Sequence, residues 1–162
     1  MAVHKLHIDE FDEIDYQLIA IHTSLEDYRL AYFINQKLPI ILKKSDCNIQ
    51  ISNKEGETQF TRFIFEDEKG GISWDLIQNQ NEIVLSSASS NQGLFAESDN
   101  NFSSKVYLIP EFRKVDYFLK IENAAESFDV LKVTNEIKKI DAISTVYPVD
   151  VENIKSKNNL IF

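Results

Sequence analysis

Residues 115–149 read VDYFLKIENAAESFDVLKVTNEIKKIDAISTVYPV, and this stretch decides the fold. Val115 to Ile121 is a β-branched and aromatic run, the composition of a strand. Val130, Val133, Ile137 and Ile140 then recur at spacings of three, four and three, which lays them along one face of a helix. Asn123 and Glu126 have the spacing of a capped helix start. Ile143 to Val149 is extended again, with Pro148 near its end, where a missing amide hydrogen matters little. The order is strand, helix, strand.

The opening of the chain repeats that order. Tyr16 to His22 (YQLIAIH) is a short apolar run, and Ser24 with Asp27 has capping-box spacing. A helix is expected over 25–37, with Tyr28, Ala31, Ile34 and Leu38 as its stripe, widened by Leu30 and Phe33 and stopped by Pro39. Residues 40–51 are extended, with a polar break at Ser45-Asp46. Between the two halves the pattern is antiparallel. Gln59 to Glu66 is a strand, Gly70-Gly71 a turn, and Ile72, Trp74 and Leu76 alternate with Ser73 and Asp75 as a half-buried strand. Ile83 to Leu85 is a further short strand. The expected fold is α+β: two βαβ units forming a ferredoxin-like antiparallel sheet, with an inserted β-hairpin region and two helices. The apolar positions of Leu131 to Val149 also resemble the helix and second strand of ACT-type regulatory domains.

Length and composition bound the function. The 162 residues fit a single domain, 1–162, and apolar and charged fractions of 43% and 27% are those of a globular chain. The net charge of −9 opposes phosphate binding, and basic residues cluster only as the pairs Lys43-Lys44, Arg113-Lys114 and Lys138-Lys139. No nucleic-acid partner is expected, and the same charge disfavours anionic membranes. No apolar run is long enough for a membrane helix, and the N-terminus does not read as a secretory signal, so cytoplasm is the expected location. Residues 9–15 carry five carboxylates and read as a solvated lead-in. The lone Cys47 allows no disulfide within the chain and reads as a small buried hydrophobe beside a strand.

Two polar segments carry apolar residues. Residues 86–104 read as a flexible Ser/Asn-rich loop, with Leu94 and Phe95 either pinning it to the domain or serving as a docking point. The tail, 152–162, closes on Leu160, Ile161 and Phe162, which fold back onto the domain or are offered to a partner. Motifs for chemistry are scarce. Four glycines supply no phosphate loop, GxGxxG is absent, and so is a GxSxG elbow. His4, His7 and His22 do not define a metal site, and neither metal nor cofactor is expected. Glu111 and Asp116 stand in otherwise apolar sequence. They are read as capping loop amides or pairing with Arg113 or Lys114, with general-acid work as the sharper alternative.

The stretch Ile109-Pro110-Glu111-Phe112-Arg113-Lys114-Val115-Asp116-Tyr117 resembles the signature of the IPExxxVDY family, with Ile109, Pro110, Glu111, Val115, Asp116 and Tyr117 at its fixed positions. The resemblance implies a short bacterial protein and carries over no catalytic residue. Physically, Pro110 must end or turn the preceding strand. The motif is then a corner in which Glu111 accepts hydrogen bonds from corner amides and Tyr117 buries its ring with its hydroxyl on an acceptor.

These readings rank three functions. The first is a non-catalytic protein-interaction or regulatory module, working through a sheet edge, the 86–104 loop or the tail, with a protein partner or a second copy. The second is an ACT-like domain that senses a small molecule. The third is an enzyme using Glu111, Asp116 or His22.

Overall fold

A computed structural model of the protein describes residues 15–53, 56–85 and 102–162. Strands β1 (Tyr16–Thr23), β9 (Tyr117–Glu122) and β10 (Ile143–Val149) and helices α1 (Asp27–Lys37) and α2 (Val130–Lys138) lie where the apolar periodicity puts them. The middle of the chain supplies β2 (Lys43–Lys44), β3 (Ile49–Asn53), β4 (Gly56–Phe60), β5 (Arg62–Glu66), β6 (Ser73–Gln78), β7 (Gln80–Leu85) and β8 (Phe102–Tyr107). Six strands form one sheet in the order β10-β1-β9-β6-β5-β2, each pair antiparallel. The pairs β3-β4 and β7-β8 are separate hairpins. The fold is therefore mixed α+β, and both halves of the chain contribute to one sheet.

The two faces of that sheet hold two cores. On one, Ile19, Ile21, Leu76, Leu119 and Ile121 pack against Leu30 and Ile34 of α1 and Val133 and Ile137 of α2. On the other, Leu18, Ala20, Ile77 and Phe118 meet Ile49 and Phe60 of the first hairpin, Val106 of the second, and Val151, Ile154 and Leu160 of the tail. Cover on both sides explains the unbroken apolar run in β1. It also corrects the half-buried reading of β6: Trp74, Asp75, Leu76 and Ile77 are all buried.

Local details depart from expectation where tertiary packing overrides local sequence. Helix α1 is capped by Glu26 without a side-chain hydrogen bond, not by Ser24. The box spacing is present, but Thr23 Oγ1 takes the Leu25 amide instead, at 3.1 Å. Tyr28 is 58% exposed; Leu30, Ala31 and Ile34 make the buried face. Helix α2 starts seven residues after Asn123, capped by Asp129, whose side chain accepts the Lys132 N–H. Asn123 instead turns the chain out of β9 with φ 56°, a left-handed conformation that asparagine tolerates. Cys47 is exposed rather than buried, since it falls in the β2–β3 connection and not against the sheet. Residues 102–104, expected as loop, open β8. The β5–β6 turn uses Gly71 at φ 68°, with its N–H on Asp67 O.

The edges of the sheet differ. At one end lies β2, two exposed lysines long. At the other lies β10. Ile21 O accepts from Asp116 N–H, so the odd residues of β1 direct their backbone groups to β9. Ile19 is opposite Pro148. The proline therefore directs its missing donor away from the sheet.

Candidate functional site

The corner at 109–117 is built around a residue outside the motif. Asn79 sits between β6 and β7 and is fully buried. Its Oδ1 accepts the Ile109 N–H at 2.9 Å, and its Nδ2 donates to Phe112 O at 2.9 Å and Val115 O at 2.8 Å. Its backbone N–H donates to Asp116 O, and its carbonyl accepts from Leu108 N–H. One amide thus satisfies backbone groups at both ends of the turn. Pro110 opens a 3-10 helix, Pro110–Phe112, at the position where a helix needs no amide hydrogen. Ile109 and Val115 are buried on either side of it.

The polar motif residues face different partners. Glu111 accepts the amides of Lys155 (2.9 Å) and Ser156 (2.8 Å) and the Ser156 hydroxyl. The amides it accepts are therefore those of the tail, not those of the corner as expected. Partial burial raises the Glu111 pKa, but these hydrogen bonds outweigh it and hold the carboxyl below its ordinary value. Asp116 accepts the Thr23 N–H at 2.9 Å and Gln80 Nε2 at 3.2 Å. Tyr117 is buried and donates to Leu25 O at 2.9 Å. Burial, then the charges of Asp27, Asp116 and Glu26, push its pKa up to about 12. His22 stacks on Tyr147 with ring centroids 5.7 Å apart. Glu111, Asp116 and His22 are thus engaged with three separate sets of partners. His4, His7, Leu94 and Phe95 lie outside the described residues. Among the described residues no group of His, Cys, Asp and Glu could hold a metal ion.

The tail folds back. Leu160 is fully buried, which removes it from any surface offered to a partner, while Ile161 is 68% exposed. Lys120, 3% exposed on β9, donates to Leu160 O at 2.6 Å and pairs with Glu122. The Phe162 ring lies under both the Lys120 ammonium (4.6 Å) and the Arg62 guanidinium (4.3 Å). Arg62 also binds Asp75 at 2.7 Å. Burial nonetheless raises the Asp75 pKa against the pull of Arg62.

Two clefts open beside these elements. A polar one of about 410 Å³ is walled by Thr23, Ser24, Gln80, Lys105, Asp116 and Tyr117. The Asp116 carboxylate and the Tyr117 hydroxyl there are already committed to the protein itself. The second, about 640 Å³, lies between the end of α1 and the start of α2. Leu38, Pro39, Ile72, Trp74, Phe128 and Val133 make it largely apolar. Trp74 and Phe128 meet edge to face at 5.8 Å. Lys37, Asp129, Lys132 and Glu136 also line it.

No family model, curated protein or solved structure matches the chain.

The apolar cleft was not singled out in the sequence, because its walls come from four separated segments. The only tryptophan, Trp74, was the available signal. No described helix is long and apolar enough to cross a membrane.

Proposed function

We propose that the protein is a non-catalytic regulatory or protein-interaction module of the cytoplasm, acting by binding rather than by covalent chemistry. The carrying observation is the contrast between the two clefts: the Asp116 carboxylate and Tyr117 phenol of the polar one are held by the fold, whereas the Trp74 cleft is open and apolar. Its volume is that of a ligand site. The net charge of −9 favours a protein or small-molecule partner over nucleic acid.

An ACT-like ligand sensor is the second reading. It is supported by the run β10-β1-β9-β6, in which β9 and β10 flank β1 and are joined through α2. That is the order of a ferredoxin-like split βαβ core. On this reading β2, β5 and the two hairpins are additions to it, and the chain is a member of the IPExxxVDY family.

The test compares the wild type with Ala125→Phe, which fills the cleft mouth from an exposed position. Thermal-shift screening against amino acids, nucleotides and apolar acids, beside pull-downs, should give at least one ligand or partner lost in the variant. Binding that the variant retains in full would place recognition elsewhere.

A further inference from the structure

We infer that the cleft between α1 and α2 takes an amphipathic carboxylate: an apolar body on Trp74 and Phe128, and an anionic head at Lys37 and Lys132. The inference rests on the cleft being a binding site and goes further by naming the chemistry of what fills it.

The floor sets the body. Leu38, Trp74 and Val133 are buried, Ile72 and Phe128 half-buried, and none brings a charge. An alkyl or aryl group placed there gains about 25 cal/mol for each Å² it withdraws from water. A polar body would lose its hydration without gaining hydrogen bonds.

The rim sets the head. Four charged residues line the cleft, and the two acids are already engaged. Asp129 accepts the Lys132 amide as the cap of α2. Glu136 holds the Lys139 ammonium. The hydrogen bond and charge of Lys139, with smaller pulls from Lys37 and Lys132, keep the Glu136 carboxyl below its ordinary value. Neither lysine has an ion-pair partner among the described residues. Lys139 neutralises Glu136, and Lys37 and Lys132 against Asp129 leave one positive charge to complement, although the whole chain is acidic.

The test titrates the full chain with octanoate, 1-octanol and octylammonium below their aggregation limits. Emission from Trp74, the only tryptophan, and the thermal midpoint are the readouts. Octanoate should bind about tenfold more tightly than octanol, the worth of a modest charge interaction. The double variant Lys37→Gln/Lys132→Gln, folded by circular dichroism, should bind both equally. Equal binding of octanoate and octanol by the wild type, or preference for octylammonium, would overturn the head-group assignment while leaving the cleft a ligand site. Unchanged emission and midpoint with all three probes and with a blocked Leu/Glu peptide would overturn the cleft reading itself. A blocked Leu/Glu peptide that binds where octanoate does not would overturn the small-molecule assignment and give the cleft to a protein.

Discussion

Asn79 occupies a fully buried position with a side chain that has four hydrogen-bonding valences, and it is tolerated there because the corner uses three of them. Replacing it with alanine strands the Ile109 N–H in the interior, while Phe112 O keeps the Val115 N–H and Val115 O keeps only a long contact from Gln80 Nε2. The cost should be about 2 kcal/mol, within the range of about 1–3 kcal/mol for one buried orphan. Urea denaturation of Asn79→Ala measures it; a midpoint near wild type would show that the turn is specified elsewhere. Glu111 acts at the surface. Its folded pKa lies below the unfolded value, so its stabilisation is present above that value and drains away as pH falls through the folded pKa. Glu111→Gln should be less stable than wild type at pH 7 by about 1 kcal/mol. The difference should shrink below pH about 4 as the wild-type carboxyl protonates. The motif announced a corner in the sequence because proline and its neighbours act locally. Asn79 gave no such sign, because its partners begin 30 residues away.

Elements were legible where side-chain periodicity alone chooses the structure, and less so at their ends. Helix α2 kept its stripe of Val133, Ile137 and Ile140, since those residues fill the interior against β10 and the sheet. Its start moved from Asn123 to Asp129. Left-handed Asn123 first has to redirect the chain out of β9, and a cap works only where the helix begins. Asp129→Ala should cost about 1 kcal/mol, the usual worth of a cap, while Ser24→Ala should stay within about 0.5 kcal/mol. Thermal unfolding of both variants compares the two starts; equal losses would restore Ser24 as a cap. In β6 the alternation of Trp74 and Leu76 with polar neighbours was visible, yet Asp75 is buried. Its shelter comes from chain distant in sequence, and Arg62 across the β5–β6 pair accompanies it.

For the whole molecule, one sheet serves two cores, so damage to either should be felt by both. Ile137→Ala acts beneath α2 and Leu160→Ala beneath the tail; each should cost about 2–5 kcal/mol. In each variant Trp74 emission and far-ultraviolet circular dichroism should trace one coincident urea transition. Separate transitions would mean that the tail layer unfolds on its own. The shared sheet was foreseeable from two strand-helix-strand patterns. The pairing order was not, because placing β6 rather than β2 beside β9 depends on the long excursion between α1 and β6.

The ends of the six-stranded sheet carry a consequence for recognition. A visiting peptide that tried to lengthen it would meet two ammonium groups at one end and a position without a hydrogen to give at the other. Backbone added along this sheet is thus a poor handle. A guest of this sheet is left to be read by shape and charge at side chains, where a single substitution can change the choice of guest.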